Sequence, residues 1–366
     1  MKSRKKKLVI VGPVYPYKGG ISHYTGLMAA ALAKEYDTKV ISYSMQYPKI
    51  LFKKEQRDYK NDSFKFEGTE FLLNTANPFN IIRTAQRINA MKPELVIIQW
   101  WHPYFAPCYT ILSSIVKAKK LFICHNVFPH ERFPLDRFLT KLVLRKGDFH
   151  ILHSSKEADE LKEIIAEPHY RVNMHPTYSA FNFHQAEQKK SDEKVLLFFG
   201  FVREYKGLKY MMRAMKELEN IKLLIVGDFG GKREEYDNLS HELGIEDKIE
   251  IHDGYTPDRE VEKYFAASDA VVLPYIDATQ SGIAQIAFGF EKPVIATRVG
   301  GLTEVVTDGK TGILSDPANP GALAEAVRRF YELKESGTDF KANIRSDSER
   351  FSWEHMVKTI KELTGV

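Results

Sequence analysis

The sequence predicts an α/β chain of two facing, Rossmann-like, doubly wound domains with a deep interdomain cleft. Three observations carry that expectation. Short apolar runs alternate with longer segments of helical period, the signature of a parallel sheet flanked by helices. The rhythm stops near Ser179 and resumes near Lys194, across the polar, charge-clustered stretch SAFNFHQAEQKKSDEK, which reads as an interdomain linker. Both halves open on a strand running into a glycine, VIVGP at 9–13 and LLFFG at 196–200, which directs ligand to the carboxyl ends of the strands. A length of 366 residues also suits two cores better than one.

In order along the chain, the first-half strands are expected at Lys7–Val11, Lys39–Ser42, Phe64–Glu67, Leu95–Gln99, Lys120–Cys124 and Phe149–His153, with a helix at Gly20–Lys34. The second-half strands are expected at Lys194–Phe199, Lys222–Val226, Ile249–His252, Ala270–Pro274, Pro293–Ala296 and Gly312–Leu314. Helices there are expected at Lys206–Glu217, Asp258–Ala267 and Pro320–Leu333. The domains then run over 1–182 and 183–350, with a carboxy-terminal segment at 351–366.

Composition narrows the function classes. Apolar types at 43% and charged types at 28% are ordinary for a globular chain. Two cysteines, Cys108 and Cys124, are too few for a disulfide framework and point to a reducing compartment. The longest mostly apolar stretch, Tyr104–Val116, carries Pro107 and falls short of the about 20 residues a spanning helix needs. The start, MKSRKKKLVIVGP, lacks the apolar length of a secretory signal. A cytoplasmic, non-exported protein is expected.

Charge is uneven. Residues 1–187 hold 28 Lys+Arg against 17 Asp+Glu, and residues 188–366 hold 25 against 31, within a total of +5. A basic half fits an anionic partner: nucleic acid, a phosphate-bearing substrate or the inner face of the cell membrane. Solvated surface charge is the plain alternative. The basic residues are dispersed and no nucleic-acid-binding module is recognisable, so no nucleic-acid partner is expected.

The candidate chemistry lies just after strands. No G-x-G-x-x-G follows the first strand and no Walker-type loop follows any strand. Gly19-Gly20 opens a helix and either brings backbone N–H groups to an anion or is a flexible turn. His125 and Asn126 directly follow KLFIC; a histidine there can contact a sugar hydroxyl or developing charge. His130-Glu131 and His241-Glu242 do not complete H-E-x-x-H, and no Asp-x-Asp occurs, so no catalytic metal is expected. In the second half Gly200-Phe201-Val202-Arg203-Glu204-Tyr205-Lys206-Gly207 leaves a strand. Arg203 and Lys206 can converge there as charge-assisted donors to a diphosphate. Thr279-Gln280-Ser281-Gly282-Ile283 follows the run VVLPY and opens a helix, offering N–H groups and a positive dipole end to phosphate.

The ordered set GGI at 19–21, HN at 125–126, GFVREYKG at 200–207, LLIVGD at 223–228, DGYTP at 253–257, SDAVVLPY at 268–275, SGI at 281–283, KPVIATRVGGLTEVV at 292–306 and DGKTGIL at 308–314 resembles retaining glycosyltransferases of family 4. The resemblance spans nearly the whole chain. It implies the GT-B fold, with a nucleotide-sugar donor held by the second domain, acceptor by the first, and a closing helix around Trp353–Leu363 returning to the first. Position by position, it implies that Arg203 and Lys206 bind the diphosphate and that His125 stands beside the donor sugar. Ser281, Gly282 and Ile283 supply backbone contacts, with Gly200 at the strand end. Gly19 and Gly20 form the first-domain loop, and Gly254 and Tyr255 fall near the base.

One departure stands out. The family's paired glutamates would fall near Ala278 and Ile286, and neither is acidic; Gln280 and Gln285 lie close by and can supply neutral hydrogen bonds. The resemblance implies a hexosyltransferase acting with retention; no cofactor is expected, the absent metal-ligand spacings make it metal-independent, and a UDP-sugar is expected in preference to a GDP-sugar. The acceptor is a sugar or a lipid-linked sugar in polysaccharide or glycolipid assembly. A catalytically inactive sugar-nucleotide binder is the alternative. The run Arg4–Lys7 and the aromatic stretch Trp100-Trp101-His102-Pro103-Tyr104-Phe105 suggest contact with an anionic membrane surface. Those rings line the cleft in the competing reading.

Overall fold

The computed structural model describes residues 5–52, 55–59, 62, 64–129, 132–178, 181 and 193–366. The boundary expected at 182/183 and nearly all of the linker lie outside the described residues. The chain divides into two compact units, Met1–Met174 with Ser352–Val366, and His175–Phe351.

The first unit holds a seven-stranded sheet: β1 (Lys7–Val11), β2 (Asp37–Met45), β3 (Thr69–Asn74), β4 (Leu95–Trp100), β5 (Lys119–Cys124), β6 (Phe149–Leu152) and β7 (Tyr170–Val172). Their spatial order is β3-β2-β1-β4-β5-β6-β7, parallel throughout. The second unit holds β8 (Lys194–Phe199), β9 (Ile221–Gly227), β10 (Ile249–Asp253), β11 (Ala270–Leu273), β12 (Val294–Thr297) and β13 (Gly312–Ser315). Their order β10-β9-β8-β11-β12-β13 repeats the first pattern, again parallel. Strands covered by helices on both faces read as continuous apolar runs; β4, LVIIQW, is buried at every residue. In each sheet the order reverses beside the first strand, between β1 and β4 and between β8 and β11. Ligand crevices of doubly wound sheets open at such points.

Two glycines are demanded by close approach. A Cβ on Gly12 would stand 2.5 Å from Gln99 Cγ, so β1 can turn over β4 only there. Gly207 has φ +65°, and its Cβ would fall 1.9 Å from the Pro274 carbonyl oxygen.

Several expectations are corrected. Phe64–Glu67 is not a strand; the strand is Thr69–Asn74. Phe64 is buried by stacking on His23 at 4.1 Å, against a helix and not within the sheet. β7 is short and largely exposed, so it carried no apolar alternation to read. The helix expected from Lys206 starts at Leu208, after a 3-10 turn at Glu204–Lys206, because left-handed Gly207 breaks it. Trp100 and Phe105 are not exposed for membrane contact: both are fully buried, and the Trp100 Nε1–H donates to the Val127 carbonyl at 3.3 Å.

Lys5 and the segment from Ser352 both belong to the first unit. Lys5 Nζ donates to the carbonyls of Ala33 and Lys34 at 2.9 Å, where the helix Gly20–Ala33 presents its negative end. The helix Trp353–Thr364, capped by the Ser352 side chain, packs on this unit. Thr359 Oγ1–H donates to Asn173 Oδ1 at 2.9 Å, and the Tyr36 hydroxyl to the Val366 carbonyl at 3.0 Å.

Candidate functional site

In the first unit the loops after β1 and β5 carry the candidates. Gly19, at φ +106°, caps the helix Gly20–Ala33 with open space where its Cβ would be, and Gly20 is exposed. His125 is buried directly beyond β5. Its backbone N–H donates to the Trp100 carbonyl at 2.8 Å, and its Nε2–H to Gln99 Oε1 at 2.7 Å. The Tyr24 ring stands edge-on to it at 4.6 Å, and meets Trp353 of the carboxy-terminal helix at 5.0 Å. Asn126 is half-buried beside it.

Beneath this loop lie two buried titratable groups. His153 Nδ1–H donates to the Asn173 carbonyl at 2.7 Å, and burial pushes its pKa down to about 4. Glu157 Oε2 accepts from the His153 N–H at 2.8 Å, closing a capping box with Ser154. Glu157 Oε1 is buried with no partner among the described residues. Burial raises this carboxyl from 4.5 to about 8, so between those values the folded chain holds a proton that the unfolded chain releases. Its stabilising contribution is complete below pH 4.5 and lost as pH rises through 8, at up to about 1.4 kcal/mol per pH unit. Urea melts at pH 5 and pH 8 should show Glu157→Gln gaining on the native protein at the higher pH. A difference between the two proteins that does not vary with pH would refute the protonated state.

In the second unit the strands leave β8 and β11 on either side of the switch point. Gly200, at φ +101°, ends β8. Lys206 is buried; its Nζ lies 3.4 Å, and Ile283 Cδ1 3.3 Å, from where a Cβ on Gly200 would stand. Burial lowers the Lys206 pKa to about 8, with the Arg203 charge as the smaller cause. Lys206 forms no ion pair among the described residues. Its ammonium faces the Tyr275 ring at 5.8 Å, and Tyr275 Oη lies 3.4 Å from Ser281 Oγ. Ser281 caps the helix Gly282–Gly289 through the Ala284 N–H, leaving Gly282 and Ile283 in its first turn. Arg203 is exposed; its guanidinium donates to the Val202 carbonyl at 3.0 Å, and the Lys206 N–H donates to the Arg203 carbonyl at 3.0 Å.

The structure thus gathers Gly200, Arg203, Lys206, Ser281 and Ile283. Gln285 lies one turn beyond Ser281, fully buried, with both amide atoms unpartnered among the described residues. Gln280 is half-buried in the turn before the helix. Gly254, at φ +120°, and exposed Tyr255 sit apart, beyond β10 at the sheet edge. Ala278 and Ile286 are buried. No cluster of three or more metal-ligating side chains occurs among the described residues. His130-Glu131 lies outside them, and His241 pairs with Glu246 at 2.6 Å on the surface. No helix is long and apolar enough to cross a membrane among the described residues.

Solved structures share this fold over almost the entire chain. Sucrose-phosphate synthase from Thermosynechococcus elongatus has a TM-score of 0.75 at 17% identity, over 98% of each chain. Anabaena Alr3699/HepE, solved in complex with UDP-glucose, also has 0.75 at 17% identity, over 98% of this chain and 100% of that one. Residues 179–347 match the family described as Glycosyl transferases group 1. An uncharacterized glycosyltransferase, MJ1178 of Methanocaldococcus jannaschii, is 25% identical over 98% of this chain and 97% of its own. Together these findings show a GT-B fold over almost the entire chain and a likeness of residues 179–347 to glycosyl transferases group 1.

Within the GT-B fold, other relatives match in part. The uncharacterized glycosyltransferase MJ1607 of the same organism is 30% identical over 48% of this chain and 46% of its own. The D-inositol 3-phosphate glycosyltransferase of Corynebacterium efficiens is 31% identical over 44% and 40%. The chain thus spans less than half the length of both these relatives. Sequence reading missed Tyr275, which stands between Lys206 and Ser281, and Gln99, which holds His125. A single amide inside the apolar run LVIIQW was the signal for Gln99.

Proposed function

We propose that the chain transfers a hexose from a nucleoside diphosphate sugar, UDP-sugar before GDP-sugar, to an acceptor hydroxyl with retention and without a metal. The carrying observation is Lys206. A buried ammonium with no ion pair among the described residues, and a pKa held at about 8, lacks the counter-charge that burial calls for. A diphosphate supplies it. In the reaction the acceptor oxygen bonds to the anomeric carbon on the face that the diphosphate leaves. The departing phosphate oxygen takes the acceptor's proton. Lys206, Arg203 and the first N–H groups of the helix Gly282–Gly289 then meet the charge that grows on that oxygen. His125 acts on the sugar. The UDP-glucose complex of Anabaena HepE supports UDP as the base-bearing half.

A binder without turnover is the second reading, favoured by apolar Ala278 and Ile286, which stand where the resembling family has glutamates. A thermal-shift series with UDP, GDP, ADP and their common sugars ranks donors, since a ligand at 100 times its Kd stabilises by about 2.7 kcal/mol. No shift with any of them would overturn the donor site. Donor hydrolysis without acceptor separates enzyme from binder. Activity should survive EDTA; full loss restored by magnesium or manganese would overturn the metal-independent reading.

A further inference from the structure

The first unit leaves large apolar side chains uncovered in two places, neither of which belongs to the sites above. Beyond β2, Ile50 and Leu51 are 85% and 64% exposed, beside Phe52 and exposed Lys49. In the helix Asp136–Leu144, Thr140, Val143 and Leu144 face the interior. A surface helix ordinarily turns polar residues outward. Here Leu135, Phe138 and Leu142 recur at helical spacing on the uncovered side, with Leu135 and Phe138 69% and 62% exposed.

Ring contacts join the two places. Phe52 stacks on Tyr47 at 5.7 Å, and Tyr47 packs on Tyr104 at 4.9 Å. The Tyr104 N–H donates to His102 Nδ1 at 3.1 Å, and His102 stacks on Phe133 at 6.0 Å, two residues before Leu135. Half-buried aromatic side chains thus lie between the loop and the helix, and the helix carries the exposed apolar stripe. Its rim is cationic. From Arg132 to Lys146 the only acid is Asp136, which is buried and bonded to Arg132 at 3.0 Å. Arg137 pairs with Glu163 at 2.9 Å. Lys141, Arg145 and Lys146 are exposed and form no ion pair among the described residues.

We infer that this face docks on the surface of an anionic lipid bilayer. Apolar side chains beside unpaired cations match a bilayer interface, where acyl chains accept the first and phosphate headgroups the second. A protein partner would have to supply an apolar strip and a diffuse negative rim at once; a bilayer has both everywhere. This places membrane contact away from Trp100 and from Lys5, which the fold already uses. The inference goes beyond the sugar-transfer reading and does not depend on it, since vesicle binding needs neither donor nor acceptor.

Co-sedimentation with vesicles of phosphatidylcholine alone, or with a third phosphatidylglycerol, tests it. The native chain should bind the anionic vesicles at least about tenfold better, and lose most of that preference by about 0.5 M salt. Lys141→Glu with Lys146→Glu should abolish the preference. Leu135→Ser with Phe138→Ser should cut binding about tenfold at either salt, with the melting temperature and donor hydrolysis unchanged. If that pair unfolds the helix, Ile50→Ser with Leu51→Ser takes its place and should give the same loss. Equal binding to both vesicle types, or variants that bind like the native chain, would overturn the inference. So would a dimer in sedimentation velocity that Phe138→Ser abolishes while no vesicle binding is seen, which would assign the face to a second copy.

Discussion

Lys206→Ala is expected to weaken UDP binding and turnover by about tenfold to more than a hundredfold, because a hydrogen bond to a charged group contributes about 1.5–3 kcal/mol. Stability should move the other way. The Lys206 pKa is lowered from 10.5 to about 8 by burial, so the folded chain binds fewer protons than the unfolded chain between those values. Stability therefore rises with pH across that window, and below pH 8 the buried ammonium costs up to about 3 kcal/mol. Lys206→Met, which keeps the bulk and removes the charge, should melt no lower than the native protein at pH 7 and bind UDP poorly. Affinity of the native protein should fall as pH rises above 8, where the free site loses its proton. Calorimetry in buffers of different ionisation enthalpy should show proton uptake on UDP binding near pH 8, absent in the variant. Arg203→Ala should act in the same direction and combine non-additively, since both cations address one leaving group. Unchanged UDP affinity in Lys206→Ala would remove the residue from the phosphate site.

Much of this was legible because parallel strands announce themselves. β1, β4, β8 and β11 are apolar runs ending at glycine, at an aromatic or at proline, and both switch points follow from their order. The positions of Arg203, Lys206 and Ser281 were legible for the same reason: each lies in the loop that follows such a run. What failed was burial that depends on partners distant in sequence. Phe64 looked like a strand residue because it is apolar, yet its burial comes from His23. Trp100 and Trp101 looked alike in sequence; Trp100 ends β4 inside the core, while Trp101 is half-buried and its Nε1–H donates to the Tyr47 hydroxyl at 3.2 Å. Periodicity reports which face is apolar but not what covers it. The exposed stripe Leu135, Phe138 and Leu142 was invisible for that reason: in sequence it resembles any core-facing stripe.

His125→Ala should lower turnover by about a hundredfold, the scale of losing one preorganised hydrogen bond at a reacting centre, and leave UDP affinity nearly unchanged. Its ring is held on several sides. Gln99 Oε1 accepts from Nε2–H at 2.7 Å, Gln99 is itself fully buried under Gly12, and Tyr24 stands edge-on at 4.6 Å. A ring fixed this way loses little entropy when it meets a substrate, which is what makes a single hydrogen bond effective in a transition state. Gln99→Leu should therefore lower kcat by a smaller factor than His125→Ala: the ring remains but its tautomer and angle are no longer imposed. The measurement is kcat and KM for the donor that the thermal-shift series selects, beside the Kd for UDP alone. A fall in UDP affinity as large as the fall in rate would move His125 to the nucleotide. A kcat for His125→Ala equal to that of the native protein would leave it a packing residue that holds Tyr24 and Gln99 in place.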